Sequence, residues 1–189
     1  MRLARFVTEI FAPAVWAGVM PIVIAVHATV SLAAGLGWGL AAALFSAVIP
    51  YGIIWLGVRR GQLTDHHIGR REQRRRPLLL GLASVLVGLV VLALLGAPRE
   101  LIAMVVVMFV VGLGSTIVNH YWKLSVHTAV SAGSIAVLII VFGPWLWPGA
   151  ALVALIGWSR VRLGDHSTAQ VLAGTVVGTG LAAVTFSLF

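Results

Sequence analysis

The stretch PLLLGLASVLVGLVVLALLGA, residues 77–97, carries no charge, and Ser84 is its one hydrogen-bonding side chain. A bilayer's hydrocarbon core of about 30 Å takes about 20 apolar residues to cross, so this run is long enough to span it. Lipid offers no water to satisfy backbone N–H and C=O groups, so a spanning run must be helical. Working outward, the same pattern recurs at 11–33, 37–58, 100–119, 126–146, 148–164 and 166–188. These runs take up nearly all of the 189 residues and leave no room for a soluble domain. The composition agrees: 60% hydrophobic and only 10% charged, with a mean hydropathy of +1.07. Soluble domains are about a quarter charged. The expected fold is all-α, a polytopic transmembrane bundle of about six or seven helices in a single domain over 1–189.

The charge is as uneven as the hydropathy. If all seven runs cross, 12 of the 13 Lys and Arg residues fall on one face, and only Arg99 on the other. An excess of Lys and Arg in short loops marks the cytoplasmic side. The net charge of +8 is therefore read as directed at a membrane, and no nucleic-acid partner is expected. The expected location is the cell membrane, with the basic face turned to the cytoplasm. With no cysteine there is neither a disulfide framework nor a cysteine zinc site. The basic start MRLARF lacks a cleavage site after a short apolar core and reads as leading into a retained first helix. Trp16, Trp38, Trp55, Tyr121, Trp122, Trp145 and Trp147 lie near run ends, where interfacial aromatic belts form. Nothing in the sequence specifies an oligomeric state.

Polar residues concentrate in a few clusters on the basic face. DHHIGRREQRRRP runs from Asp65 to Pro77, NHYWKLSVHTA from Asn119 to Ala129, and WSRVRLGDHSTAQ from Trp158 to Gln170. Each leads into a helix, with Pro77 suited to a first helical position and Ser125 and Ser167 to N-caps. Helix N-termini with nearby arginines attract anions, and histidines add what an anion trap lacks. A neutral imidazole can attack phosphorus, and a protonated one can donate to a leaving oxygen.

SRVRLGDH, residues 159–166, is similar to the third signature of the type-2 phosphatidic acid phosphatase superfamily: Ser-Arg, five residues, then His. LSVH, residues 124–127, resembles its Pro-Ser-Gly-His motif, and RRRP, residues 74–77, the Arg-Pro end of its first motif. The resemblance covers roughly residues 65–185. It implies that His166 is a nucleophile forming a phosphohistidine and that His127 is the general acid. It further implies that Arg76, Arg160 and Ser125 hold phosphate oxygens.

The chain departs from the family pattern in four ways. Gly69 stands where the first motif has Lys, a charge that Lys123 or Arg70 can replace, Lys123 by preference. Leu124 and Val126 replace Pro and Gly of the second motif. Gln170 replaces an Asp four residues after the histidine. Gln170 can still reach the His166 ring from one helical turn away, while Asp165 or Asp65 can supply the missing negative charge. Finally, two crossings over 77–119 separate the first motif from the second.

The resulting expectation is an integral-membrane lipid phosphatase acting on a phospholipid monoester or an isoprenoid (di)phosphate, with no metal and no cofactor. The alternatives are a non-catalytic lipid-phosphate binder or flippase, and a lipid phosphotransferase. Structural roles are expected for other polar groups and glycines. Arg71, Arg74 and Arg75 read as headgroup anchors, and His27 as packed inside the bundle. His66 and His67, with Asp65 and His120, offer a metal half-site or a substrate gate as alternatives to solvated-loop and interfacial histidines. Gly174, Gly178 and Gly180 read as sites of close helix packing.

Overall fold

The computed structural model describes residues 1–68 and 70–189; Gly69 and the Arg71 side chain, with their expected roles, lie outside the described residues. The described chain is mostly helical, with turns and bends over 60–68. In order, the α-helices are α1 (Arg2–Ile10), α2 (Pro13–His27), α3 (Leu32–Ala43), α4 (Ile49–Arg59) and α5 (Arg75–Leu94). They continue with α6 (Arg99–Tyr121), α7 (Val126–Phe142), α8 (Gly149–Arg162) and α9 (Thr168–Phe186). Five helical runs are long and apolar enough to cross a membrane: Arg2–His27, Leu32–Arg59, Arg75–Leu94, Arg99–Tyr121 and Thr168–Phe186. Helix α7 has 17 residues and α8 only 14, so α8 is about 21 Å long at 1.5 Å per residue.

Boundaries differ from expectation at both weak points of the pattern. The first run starts at Arg2 rather than residue 11, because MRLARFVTEI is itself an amphipathic helix. It ends at His27 rather than residue 33, so His27 occupies the last turn of α2 and is exposed rather than packed. Helix α7 ends at Phe142 rather than residue 146, because Gly143 turns the backbone to φ 108°, a conformation costly for a residue with Cβ.

The chain divides into two compact units, Met1–Trp16 with Val110–Phe189, and Ala17–Phe109. In the second unit, Ala25, Ala42, Val85, Leu92, Leu101 and Val105 form a core against which Trp38 packs. Between α3 and α4, Leu44–Val48 forms a π-helical turn. Pro50 explains it: a proline has no N–H for the carbonyl four residues back, and the ladder relaxes to the i→i+5 bond from Ile49 N to Leu44 O. Ser84 Oγ donates to the Phe45 carbonyl in this turn at 2.7 Å. Gly88 lets α5 approach there, since a Cβ would stand 2.4 Å from Phe45 Cβ.

In the first unit α7 is the central helix, and its buried face carries small residues and hydroxyls, from Thr128 to Ser134. Glycines on α9 allow close approach: a Cβ on Gly178 would fall 2.0 Å from the Ala129 carbonyl oxygen, and one on Gly174 2.5 Å from that of Ser125. Gly180 does not share this role, because a Cβ there meets nothing within 4 Å. Trp16 is not a belt residue either; it packs against the core formed by Ala132, Ile135 and Val153. Trp145 and Trp147 are exposed, at 70% and 65%.

Candidate active site

The spacing of Arg160 and His166 has a local cause. Helix α8 ends just past Arg160, and Gly164 reverses the chain at φ 76°. The amides of Asp165 and His166 then both donate to the Arg160 carbonyl, at 3.1 and 3.3 Å. Five intervening residues are what this reversal needs to fold the loop back over its own helix end. It also brings the Asp165 carboxylate to 3.0 Å from Arg160 Nη2. Arg160 is 1% exposed, so its charge is buried and depends on partners such as this one. Arg162, two residues on, is exposed. A further support comes from α1, whose Ala4, Val7 and Thr8 are buried. Thr8 Oγ1 and Ser159 Oγ share a hydrogen bond of 3.0 Å beside Arg160.

The cluster before α7 joins this loop through three contacts. Lys123 Nζ donates to the Asp165 carbonyl at 2.8 Å. Ser125 N donates to the Gln170 carbonyl at 3.3 Å. Thr128 Oγ1 donates to the Val171 carbonyl at 3.0 Å and also reaches that of Ser125 at 3.2 Å. Helices α7 and α9 therefore begin side by side. Ser125 caps α7 by accepting from Thr128 N at 3.5 Å, and it is fully buried. A hydroxyl that caps through its oxygen keeps its proton for another acceptor. His127 stands in the first turn of α7 and His166 just before α9, each 5% exposed. Thr128 was not foreseen as a site residue; a lone threonine beside a histidine carries no signal until its cross-helix acceptor is known.

Gln170 has two tasks. It closes a capping box with Ser167, which accepts from Gln170 N at 3.3 Å while Gln170 Oε1 accepts from Ser167 N at 3.1 Å. The same Oε1 lies 3.2 Å from His166 Nδ1. The backbone N–H of Ser167 requires an oxygen opposite it, which settles the orientation of the amide. An amide oxygen only accepts, so Nδ1 of His166 must carry the proton. The neutral ring then presents its lone pair at Nε2. The sequence pattern Ser-x-x-Gln that marks a capping box is legible at 167–170, and it gives Gln170 a reason to be there besides chemistry.

Residues 112–189 match the model of the PAP2 superfamily. The match, over less than half of the chain, supports membership of that superfamily. The PAP2 segment contains Lys123, Ser125, His127, Arg160, Asp165, His166 and Gln170, the residues just described. PAP2 proteins are generally phosphatases, which supports a phosphoric-ester hydrolase here. No curated protein and no solved structure gives a significant match.

Asp65, Arg70 and Arg76 lie before the PAP2 match and in the second unit. Arg76 is exposed in the first turn of α5, and Arg70 is exposed as well. Asp65 is half-buried, and its Oδ2 accepts from Thr64 Oγ1 at 3.1 Å. The arginine run departs from expectation at Arg74. Rather than reaching for headgroups, Arg74 is 5% exposed and its Nε donates to the Ile68 carbonyl at 2.8 Å. Ile68 sits at φ 49°, and the buried guanidinium holds that strained turn in place.

Proposed function

We propose that this protein is an integral-membrane lipid phosphatase that works through a phosphohistidine. Nε2 of His166 attacks the terminal phosphorus in line with the leaving oxygen, and the P–O bond to the lipid alcohol of a monoester, or to the lipid monophosphate of a diphosphate, breaks. His127 gives its proton to that departing oxygen. Water then attacks the phosphohistidine, releasing inorganic phosphate and restoring the imidazole, with His127 as base. Arg160 and Lys123 offset the charge of the phosphoryl oxygens, and the Ser125 hydroxyl donates to one of them. Positive charge supplied by side chains does the work that a metal ion does elsewhere. The observation that carries this reading is the His166–Gln170 contact, because it points the lone pair of a buried imidazole away from its orienting partner. The Lys and Arg bias supports a site that faces the cytoplasm.

The test is release of inorganic phosphate from a panel of phospholipid and isoprenoid phosphates by purified protein, with and without EDTA, and in oriented vesicles. Release that survives EDTA and occurs at the cytoplasmic face is expected. Binding without release would leave a non-catalytic binder, and transfer to an alcohol in place of water a phosphotransferase.

The Gln170→Glu variant probes the orienting contact. Glutamate keeps the reach and the capping box but adds a negative charge beside the ring, which favours the protonated imidazole. A nucleophile must be neutral, so the acidic limb of the pH–rate profile should move up by about one pH unit. An unmoved limb would mean that residue 170 serves only the helix cap.

A further inference from the structure

An apolar groove of about 480 Å³ runs between α7, α8 and α9 within the first unit. It starts next to the candidate site. Val171, which lines it, directly follows Gln170, and its carbonyl accepts from Thr128. It continues past Ala136 of α7 and Ala154 of α8 to Ala183 of α9 and Trp147. From Val171 to Ala183 is about 18 Å along α9 at 1.5 Å per residue. One leaflet of a bilayer core is about 15 Å deep, so the groove is long enough to take a lipid tail that starts beside the candidate site. The volume sets how many tails fit. A methylene occupies about as much space as a water molecule's share of the liquid, about 30 Å³. The groove is therefore of the size of one chain of about 16 carbons.

We infer that this groove seats the single hydrocarbon chain of the substrate, and that the enzyme acts on single-chain lipid phosphates, such as prenyl or monoalkyl phosphates, in preference to two-chain phosphatidates. The inference rests on the phosphatase reading for its headgroup, and on the groove alone for its tail. Ala136 on α7 and Ala154 on α8 line the groove with small side chains. Their replacement by a larger side chain shortens the space without touching Arg160, His127 or His166.

The experiment compares single-chain phosphates of increasing length, up to about 16 carbons, with a two-chain phosphatidate of the same length. Wild-type protein, Ala136→Trp, Ala154→Trp and Val176→Trp are assayed for phosphate release. Val176 lies on α9 outside the groove and is 71% exposed, so it controls for added bulk. Binding of the same lipids to the His166→Ala protein is measured in parallel, with and without each tryptophan, because binding needs no turnover. Wild-type protein should favour the long single chain. Ala136→Trp and Ala154→Trp should lower kcat/KM for that chain by about tenfold or more while sparing the short chains, and Val176→Trp should not change the profile. Preference for the two-chain lipid, or an unchanged length profile in both groove variants, would overturn the inference. A length-dependent binding profile without turnover would keep the groove and discard the phosphatase.

Discussion

His166→Ala should lower phosphate release by at least about 10⁴-fold, the scale on which enzymes lose turnover when a covalent nucleophile is removed. The same protein should no longer acquire an acid-labile phosphoryl label from labelled substrate. The reason is chemical rather than structural. His166 is buried at the end of the loop that the Arg160 carbonyl folds back, and Gln170 Oε1 orients its ring through Nδ1. Alanine leaves the backbone bonds of that loop intact, so the protein should fold and bind lipid phosphate while losing the atom that takes the phosphoryl group. Turnover near the wild-type rate would end the covalent mechanism.

His127→Ala should cost about 10²–10⁴-fold on an alkyl phosphate, the usual contribution of a positioned general acid. Its distinguishing mark is dependence on the leaving group. An alkoxide is a poor leaving group and needs the proton, whereas a nitrophenolate departs without one. The loss should therefore shrink to a small factor on an aryl phosphate. An equal loss on both substrates would assign His127 to binding or structure, a real alternative for a side chain 5% exposed in the first turn of α7.

How far the site was legible follows from how local each interaction is. The Ser-Arg-x5-His spacing is recognisable because the Arg160 carbonyl bonds to the amides of Asp165 and His166, all within one loop. The reach of Gln170 to His166 follows from helical spacing alone and is present at 3.2 Å. Asp165 was a candidate for activating His166, but its carboxylate instead pairs with Arg160 at 3.0 Å. Choosing between those two partners depends on which way the loop closes, and spacing does not encode that. Arg74 and His27 were misread for a related reason. Both look like ordinary polar residues at a run's edge or interior, and their burial or exposure depends on where the helix ends and what the loop needs.

From residue order alone come the helices, their apolar character and the candidates for chemistry-bearing side chains. Hydrophobic run length and backbone hydrogen bonding act locally, and so do N-caps such as Ser125 and Ser167. Tertiary structure decided the rest. Residues 40 or more apart in the chain meet because Gly174 and Gly178 remove the side chains that would separate α7 from α9, and because Ser125, Thr128 and Lys123 bond to the carbonyls of Gln170, Val171 and Asp165. Backbone carbonyls are present at every residue, so no sequence pattern marks which of them a distant donor will find; only the packed helices select it.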